Sequence, residues 1–443
     1  MTSAFTTDWT GRFSGPAYAV VRPADTAEVR AVMTACSQVG RPVHPQGGNT
    51  GLVGGSVPVG FADRTETSSS ADTEDRAPVV LLTTRLNWIG DVTGGQLTAG
   101  AGATLADVQQ AAAAAGLYYG VDIAARDSAT IGGTVATNAG GIRVCAFGMT
   151  RSQVVGIEAV LADGTVVSHL AGLPKDNTGY DLVGLFTGSE GTLGVVTAVT
   201  LRLHSPVGSS TLALVGAKDV AAAQELVATC VPPGSRLLAA EVMNDVGTDI
   251  VCEFAGLAWP LANRWPVLLL LEVEGDEILL PDADDLDAIL ATDATDYARM
   301  WRYREHQSEA AQVMAARIDG YVHKLDVSVP LPAQPEFVAE LAPLLASIES
   351  VKGHYFFGHI ADGNLHVELA EPGAHDDAAT LAVLELVARH GGSISAEHGV
   401  GQAKSAYLHL TRTPAEIAVM RAIKTALDPM NQMAPGVLFP IDS

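Results

Sequence analysis

Gln46-Gly47-Gly48-Asn49-Thr50-Gly51-Leu52-Val53-Gly54-Gly55-Ser56 follows Pro42-Val43-His44-Pro45. Residues without side chains leave backbone N–H groups free to face something that comes close. Two further tracts share this character. One is Ile131-Gly132-Gly133-Thr134-Val135-Ala136-Thr137-Asn138-Ala139-Gly140-Gly141; the other is Phe186-Thr187-Gly188-Ser189-Glu190-Gly191-Thr192-Leu193-Gly194-Val195-Val196. One such tract is ordinarily a set of turns. Three, each entering or leaving a strand, imply backbone lining a large ligand. Close approach to a diphosphate needs small residues, and an anion needs free donors. The expected ligand is therefore a long, phosphate-bearing cofactor.

The intervening chain reads as alternating strands and helices. Ala19 to Pro23 is a strand, Thr26 an N-cap, and Ala27 to Val39 a helix closed by Gly40. Residues 62–77, rich in Ser, Thr, Asp and Glu, read as a solvated loop. Val79 to Thr83 is a strand. Leu97 to Thr104 leads into a helix from Leu105 to Ala115, but Leu105 stands where a nicotinamide-binding fingerprint would need its third glycine. Val155 to Leu161 and Thr165 to Ser168 form a hairpin about Asp163-Gly164. Pro206 marks a boundary, after which strands such as Val267–Val273 and His323–Val329 alternate with Ala- and Leu-rich helices.

With 443 residues and 48% apolar content, the chain can build two or three cored domains. Its 26 Lys plus Arg against 50 Asp plus Glu give a formal charge of −24. Such a surface repels phosphate backbones and anionic lipid, which argues against nucleic-acid and peripheral membrane partners. Cys36, Cys145, Cys230 and Cys252 show no framework spacing, the N-terminus has no signal pattern, and no apolar run could span a bilayer. These features suggest a soluble, cytoplasmic protein.

A second informative stretch is His354-Tyr355-Phe356-Phe357-Gly358-His359-Ile360-Ala361-Asp362-Gly363-Asn364-Leu365-His366-Val367-Glu368. Asp-Gly between alternating apolar residues signals a hairpin. A two-residue turn at Asp362-Gly363 would set His359 opposite His366 and Phe357 opposite Glu368. Two imidazoles sharing a face can hold one divalent cation. The competing reading is two exposed histidines beside a turn.

The chain resembles the FAD-dependent 2-hydroxy-acid dehydrogenases of the vanillyl-alcohol-oxidase-type flavoprotein fold from about Gly15 to Gly436. The group includes D-2-hydroxyglutarate dehydrogenases, D-lactate dehydrogenases and the FAD subunit of glycolate oxidase. The resemblance is carried by the three glycine tracts, the hairpin, Lys175-Asp176-Asn177-Thr178-Gly179-Tyr180-Asp181-Leu182, and Ser395-Ala396-Glu397-His398-Gly399-Val400-Gly401. It implies an α+β architecture: an FAD-binding domain of two α/β subdomains over 1–205, a cap domain with antiparallel sheet and flanking helices over 206–420, and a C-terminal segment, 421–443, returning to the first domain.

By the same resemblance, non-covalent FAD is held by Pro45, Gln46, Gly47, Gly48, Asn49, Thr50, Gly51, Gly55 and Ser56, by Thr130, Gly132, Gly133, Thr137, Asn138, Gly140 and Gly141, and by Glu190, Gly191, Val195 and Val196. Asn49 stands where relatives with covalent flavin tend to carry histidine. His359, His366 and Glu397 are implied ligands of a divalent, zinc-like metal, and His398 the catalytic base. Two imidazoles and a carboxylate leave a position open for substrate, as a catalytic metal requires. Arg304, Lys324 and Ser308 are implied substrate-binding residues.

Three departures bear on specificity. Glu368 replaces an asparagine of relatives that take dicarboxylic 2-hydroxy acids. Ala434-Pro435-Gly436-Val437 lacks a usual asparagine and basic residue, and Ala146-Phe147-Gly148 replaces Arg-Tyr-Gly. A carboxylate at 368 would repel a distal substrate carboxylate, which favours a D-lactate-like, monocarboxylic substrate. The implied partners are that acid and an electron acceptor such as a quinone, a cytochrome or an electron-transfer flavoprotein; a homodimer is compatible with the pattern. The alternatives are an oxidase, a non-catalytic electron-relay subunit and a metal-dependent hydrolase.

Overall fold

The computed structural model describes residues 3–59, 77–282, 286–373 and 377–441, so most of the expected loop at 62–77 lies outside the described residues. The chain divides into two compact units. One comprises Met1–Gly141, Phe147–Pro206 and Glu397–Ser443; the other comprises Ile142–Ala146 and Val207–Ala396.

In the first unit, β1 (Ala19–Val21), β2 (Val43–Gln46) and β3 (Val79–Leu82) form a parallel sheet in the order β1-β3-β2. The helix Thr26–Gln38 starts one residue earlier than the sequence suggests. Asp25, not Thr26, is the N-cap, its side chain accepting from Glu28 N at 2.8 Å. Val29, Met33 and Cys36 lie one helical turn apart and pack on Val43, Val79 and Leu81.

A second, antiparallel sheet is built from β4 (Gln96–Gly100), β5 (Val154–Val160), β6 (Val166–His169) and β7 (Val195–Arg202), in the order β4-β7-β5-β6. The small-residue tract after Thr130 forms a short helix, Ile131–Thr137. Thr130 caps its start and Asn138, in the left-handed conformation at φ 52°, ends it. Ile131 and Val135 join Leu105, Val108 and β7 in one apolar core.

The second unit is organised by a seven-stranded antiparallel sheet. Its strands are β8 (Ser210–Ala217), β9 (Leu237–Asn244), β10 (Val267–Glu274), β11 (Ala288–Leu290), β12 (Tyr321–Ser328), β13 (Gly353–His359) and β14 (Asn364–Glu371), in the order β11-β8-β10-β9-β13-β14-β12. Helices Asp245–Ala255, Ala294–Glu305 and Gln307–Ala316 contribute Ile250, Met300 and Met314 to its core.

Two expectations need correction. The β13–β14 register pairs Phe357 with His366 and Tyr355 with Glu368, two residues from the arrangement expected for a two-residue turn. Ile360 N bonds to Ala240 O in β9, and Asp362 Oδ1 accepts from Asn364 N, so ladder pairing stops before the turn. A shift of two preserves each side chain's face.

Second, residues 397–420 cluster with the first unit rather than the cap. Glu190 accepts from Val400 N and Gly401 N, and Gln402 Nε2 donates to Gly54 O and Val57 O. Conversely, 142–146 cluster with the second unit, where Arg143 meets Glu272 at 2.7 Å.

Candidate active site

Cross-strand partners in an antiparallel sheet share a face. Register places Glu241 opposite His359, His366 opposite both Phe357 and Asp326, and Glu368 opposite both Tyr355 and Lys324. One face of the second sheet therefore carries two imidazoles, three carboxylates and an ammonium. All of these except Lys324 are buried residues.

The imidazoles are backed by carboxylates. His359 Nδ1 lies 2.6 Å from Glu241 Oε1, which commits that nitrogen. His366 Nδ1 lies 3.7 Å from Asp326 Oδ1, and the two rings meet edge to face at 5.8 Å. Carboxylate-backed imidazoles are the arrangement that fixes the tautomer and raises basicity in metal-binding histidines. Asp326 also accepts from Asn364 Nδ2 at 2.9 Å and from Ala396 N at 3.1 Å. The chain is thus anchored immediately before Glu397.

Arg304 is not a surface helix residue. It is 8% exposed, its Nε donates to Glu241 Oε2 at 2.5 Å, and its guanidinium sits 4.7 Å from the Phe357 ring centroid. Burial works against ionising Glu241, but the charges and hydrogen bonds of His359 and Arg304 outweigh it and hold the carboxyl below the ordinary glutamate range.

Lys324 Nζ bonds to Ser308 O at 3.1 Å and lies 3.7 Å from Glu368 Oε1. Ser308 thus engages through its carbonyl, while the residue itself is exposed. Burial pushes the Glu368 carboxyl up to about 7, against the opposing pull of Lys324.

Glu397 and His398 lie in the first unit, half-buried. Glu397 Oε1 accepts from Gly141 N at 2.6 Å. The carboxylate of Glu190 takes Val400 N at 2.9 Å and Gly401 N at 2.7 Å, just beyond His398.

Several side chains expected to touch a cofactor are committed within the protein. Gln46 Nε2 donates to Phe5 O and Ser56 O, and Asn49 Nδ2 donates to Thr7 O while its Oδ1 accepts from Ser56. Thr130 caps Gly133, Thr137 donates to Gly133 O, and Asn138 accepts from Arg151 N. A Cβ at Gly48 would collide with Ser128 O, and one at Gly132 with Ala101, so these glycines also serve the loop's own packing.

At Gly51 a Cβ would meet nothing within 4 Å. Among the described residues, the amides of Gly47, Gly48, Asn49, Thr50 and Gly51 have no acceptor. A run of unpaired donors with Asn49 at φ 53° suits a diphosphate. Gly191, at φ 71°, packs beside Pro45, and Val195 and Val196 are buried at the start of β7.

Sequence reasoning missed Glu241 and Asp326. The signal available was an acid interrupting an otherwise apolar strand, as in Leu238-Ala239-Ala240-Glu241-Val242-Met243.

A family model described as FAD linked oxidases, C-terminal domain, matches residues 208–438, and one described as FAD binding domain matches 17–169. The chain is 37% identical to a D-2-hydroxyglutarate dehydrogenase of Xanthomonas citri pv. viticola, covering 98% of this chain and 91% of the relative. It is 35% identical to the mitochondrial D-2-hydroxyglutarate dehydrogenase of Bos taurus, covering 98% and 79%. Among solved structures, an alkyldihydroxyacetonephosphate synthase superposes with a TM-score of 0.66 at 15% identity, covering 94% of this chain and 75% of that one. The chain belongs to the FAD-linked oxidase family, with D-2-hydroxyglutarate dehydrogenases among its relatives, and is an FAD-dependent oxidoreductase of the vanillyl-alcohol-oxidase-type α+β fold.

Proposed function

We propose that this oxidoreductase converts a D-2-hydroxy acid to the 2-oxo acid, using FAD and a divalent metal such as zinc. Bound FAD supplies a hydride acceptor at N5, and the metal a Lewis acid that lowers the hydroxyl pKa. The chain's residues do the rest. His359, His366 and Glu397 hold the metal, Arg304 binds the substrate's 1-carboxylate, and His398 takes the hydroxyl proton as the C2 hydrogen leaves with its electron pair. The unpaired amides at 47–51 receive the FAD diphosphate. The observation that carries the metal reading is the Glu241 carboxylate 2.6 Å from His359 Nδ1, the backing that metal-binding imidazoles carry.

Within the class, the substrate we favour has one carboxylate, as D-lactate does. Lys324 and Arg304 are cations on this face, and Glu368 and Glu241 already offset their charges. Little net positive charge remains for a second carboxylate. The relatives' printed names point to D-2-hydroxyglutarate, so the two acids are direct competitors. Electrons then pass to a quinone, a cytochrome or an electron-transfer flavoprotein. Anaerobic mixing with the D and L forms of lactate, 2-hydroxyglutarate and malate, and with glycolate, tests the reading. Flavin bleaching by D acids, lactate first, is expected. Flavin-replete protein that none of them bleaches would make the chain an electron-relay subunit instead.

A further inference from the structure

Glu241 stands between the two halves of the proposed chemistry and belongs to neither. Its strand, β9, is apolar around it, and the residue is 1% exposed. A carboxylate is costly at such a place unless each oxygen is satisfied. Here each has a different partner: Oε1 faces His359 Nδ1 at 2.6 Å, and Oε2 takes Arg304 Nε at 2.5 Å. Register places Glu241 directly opposite His359, so the first contact follows from the ladder itself. Arg304 reaches in from the last turn of the helix Ala294–Glu305 and is steadied by the Phe357 ring.

Each contact orients a group. A proton held on His359 Nδ1 aims the Nε2 lone pair at a cation. Binding Arg304 through Nε alone fixes the guanidinium plane. Among the described residues neither Nη atom is hydrogen-bonded, which leaves the terminal edge for a carboxylate. We propose that Glu241 is a positioning residue that couples the two sites, holding the metal-binding imidazole and the carboxylate-binding guanidinium in register through its two oxygens. The proposal rests on the metal and substrate roles assigned above to His359 and Arg304. It adds that altering one carboxylate degrades both. A purely structural ion pair would lower the amount of folded protein and leave the affinities of the folded fraction unchanged.

The test compares the full-length, FAD-loaded chain with Glu241→Gln, Glu241→Asp and His359→Ala. Zn2+ affinity is measured by competition with a chromophoric chelator, and KM and kcat with the better of D-lactate and D-2-hydroxyglutarate. Glu241→Gln is expected to weaken Zn2+ binding about 10- to 100-fold and to raise KM, with flavin content and cooperative unfolding retained. Glu241→Asp keeps the charge but withdraws it by one methylene; it should shift both quantities in the same direction by less, and it carries the test if the glutamine variant does not fold. Wild-type Zn2+ affinity and KM in Glu241→Gln, while His359→Ala loses the metal, would overturn the coupling alone. A wild-type chain that takes up no Zn2+ would overturn the metal assignment and this proposal with it.

Discussion

Glu368 and Lys324 face each other directly across β14 and β12, with carboxylate and ammonium 3.7 Å apart. The glutamate therefore does more than add a negative charge to the sheet face. It also offsets the Lys324 charge, which on the proposed function would be open to a second substrate carboxylate. Replacing Glu368 with Asn frees the Lys324 charge and removes the repulsion, on the order of 1–4 kcal/mol for charges about 4 Å apart at intermediate to high dielectric. The kcat/KM ratio of D-2-hydroxyglutarate to D-lactate is expected to rise at least tenfold. An unchanged ratio would remove Glu368 from the specificity account.

Glu190 closes the loop that carries Glu397 and His398, because its carboxylate accepts both Val400 N and Gly401 N. Glu190→Ala removes two charge-assisted hydrogen bonds, each worth about 1.5–3 kcal/mol. It is expected to cut kcat about 10- to 100-fold while the protein keeps its flavin. Loss of FAD with normal turnover in the remaining holoprotein would instead make Glu190 a cofactor contact.

His44 supplies a pH signature of the fold. Burial, with the nearby Lys424 charge adding to it, pushes its pKa down to about 4. The unfolded chain, titrating near 6.5, then binds more protons than the folded one between these values. Stability from this group is complete above about pH 6.5 and falls as pH drops through 4, by about 3 kcal/mol in all. Urea unfolding of His44→Leu should show a shallower acid limb than wild type between those limits. Equal slopes would mean that His44 titrates normally.

Asn49 occupies the first glycine loop with both ends of its amide engaged, to Thr7 O and Ser56. It offers no nucleophilic nitrogen for a flavin bond. Acid precipitation is expected to leave yellow FAD in the supernatant; colour that stays with the pellet would contradict this.

The glycine tracts and the hairpin histidines were legible because their information is local. Turn chemistry, side-chain-free backbone and two-residue periodicity can all be read within a dozen residues. Parity explains why the hairpin faces survived a register error of two: His359, His366 and Glu368 keep their side of the sheet. Glu241 was not legible in that way. It is 118 positions from His359, and its role exists only because β9 becomes the neighbour of β13. Arg304 was expected at the substrate only through the family resemblance, because its partner Glu241 lies 63 positions away. The side chains at Gln46, Asn49, Thr130 and Asn138 also brace their own loops, through partners the sequence does not reveal.

The central claim is that a divalent metal on His359 and His366 activates a D-2-hydroxy acid for flavin reduction. It is tested most directly by anaerobic reduction of the bound flavin before and after chelation. Chelated protein is expected to stay yellow when the best D-2-hydroxy acid is added, and to bleach once Zn2+ or another divalent cation is restored. Undiminished bleaching by protein shown to be free of metal would contradict the account.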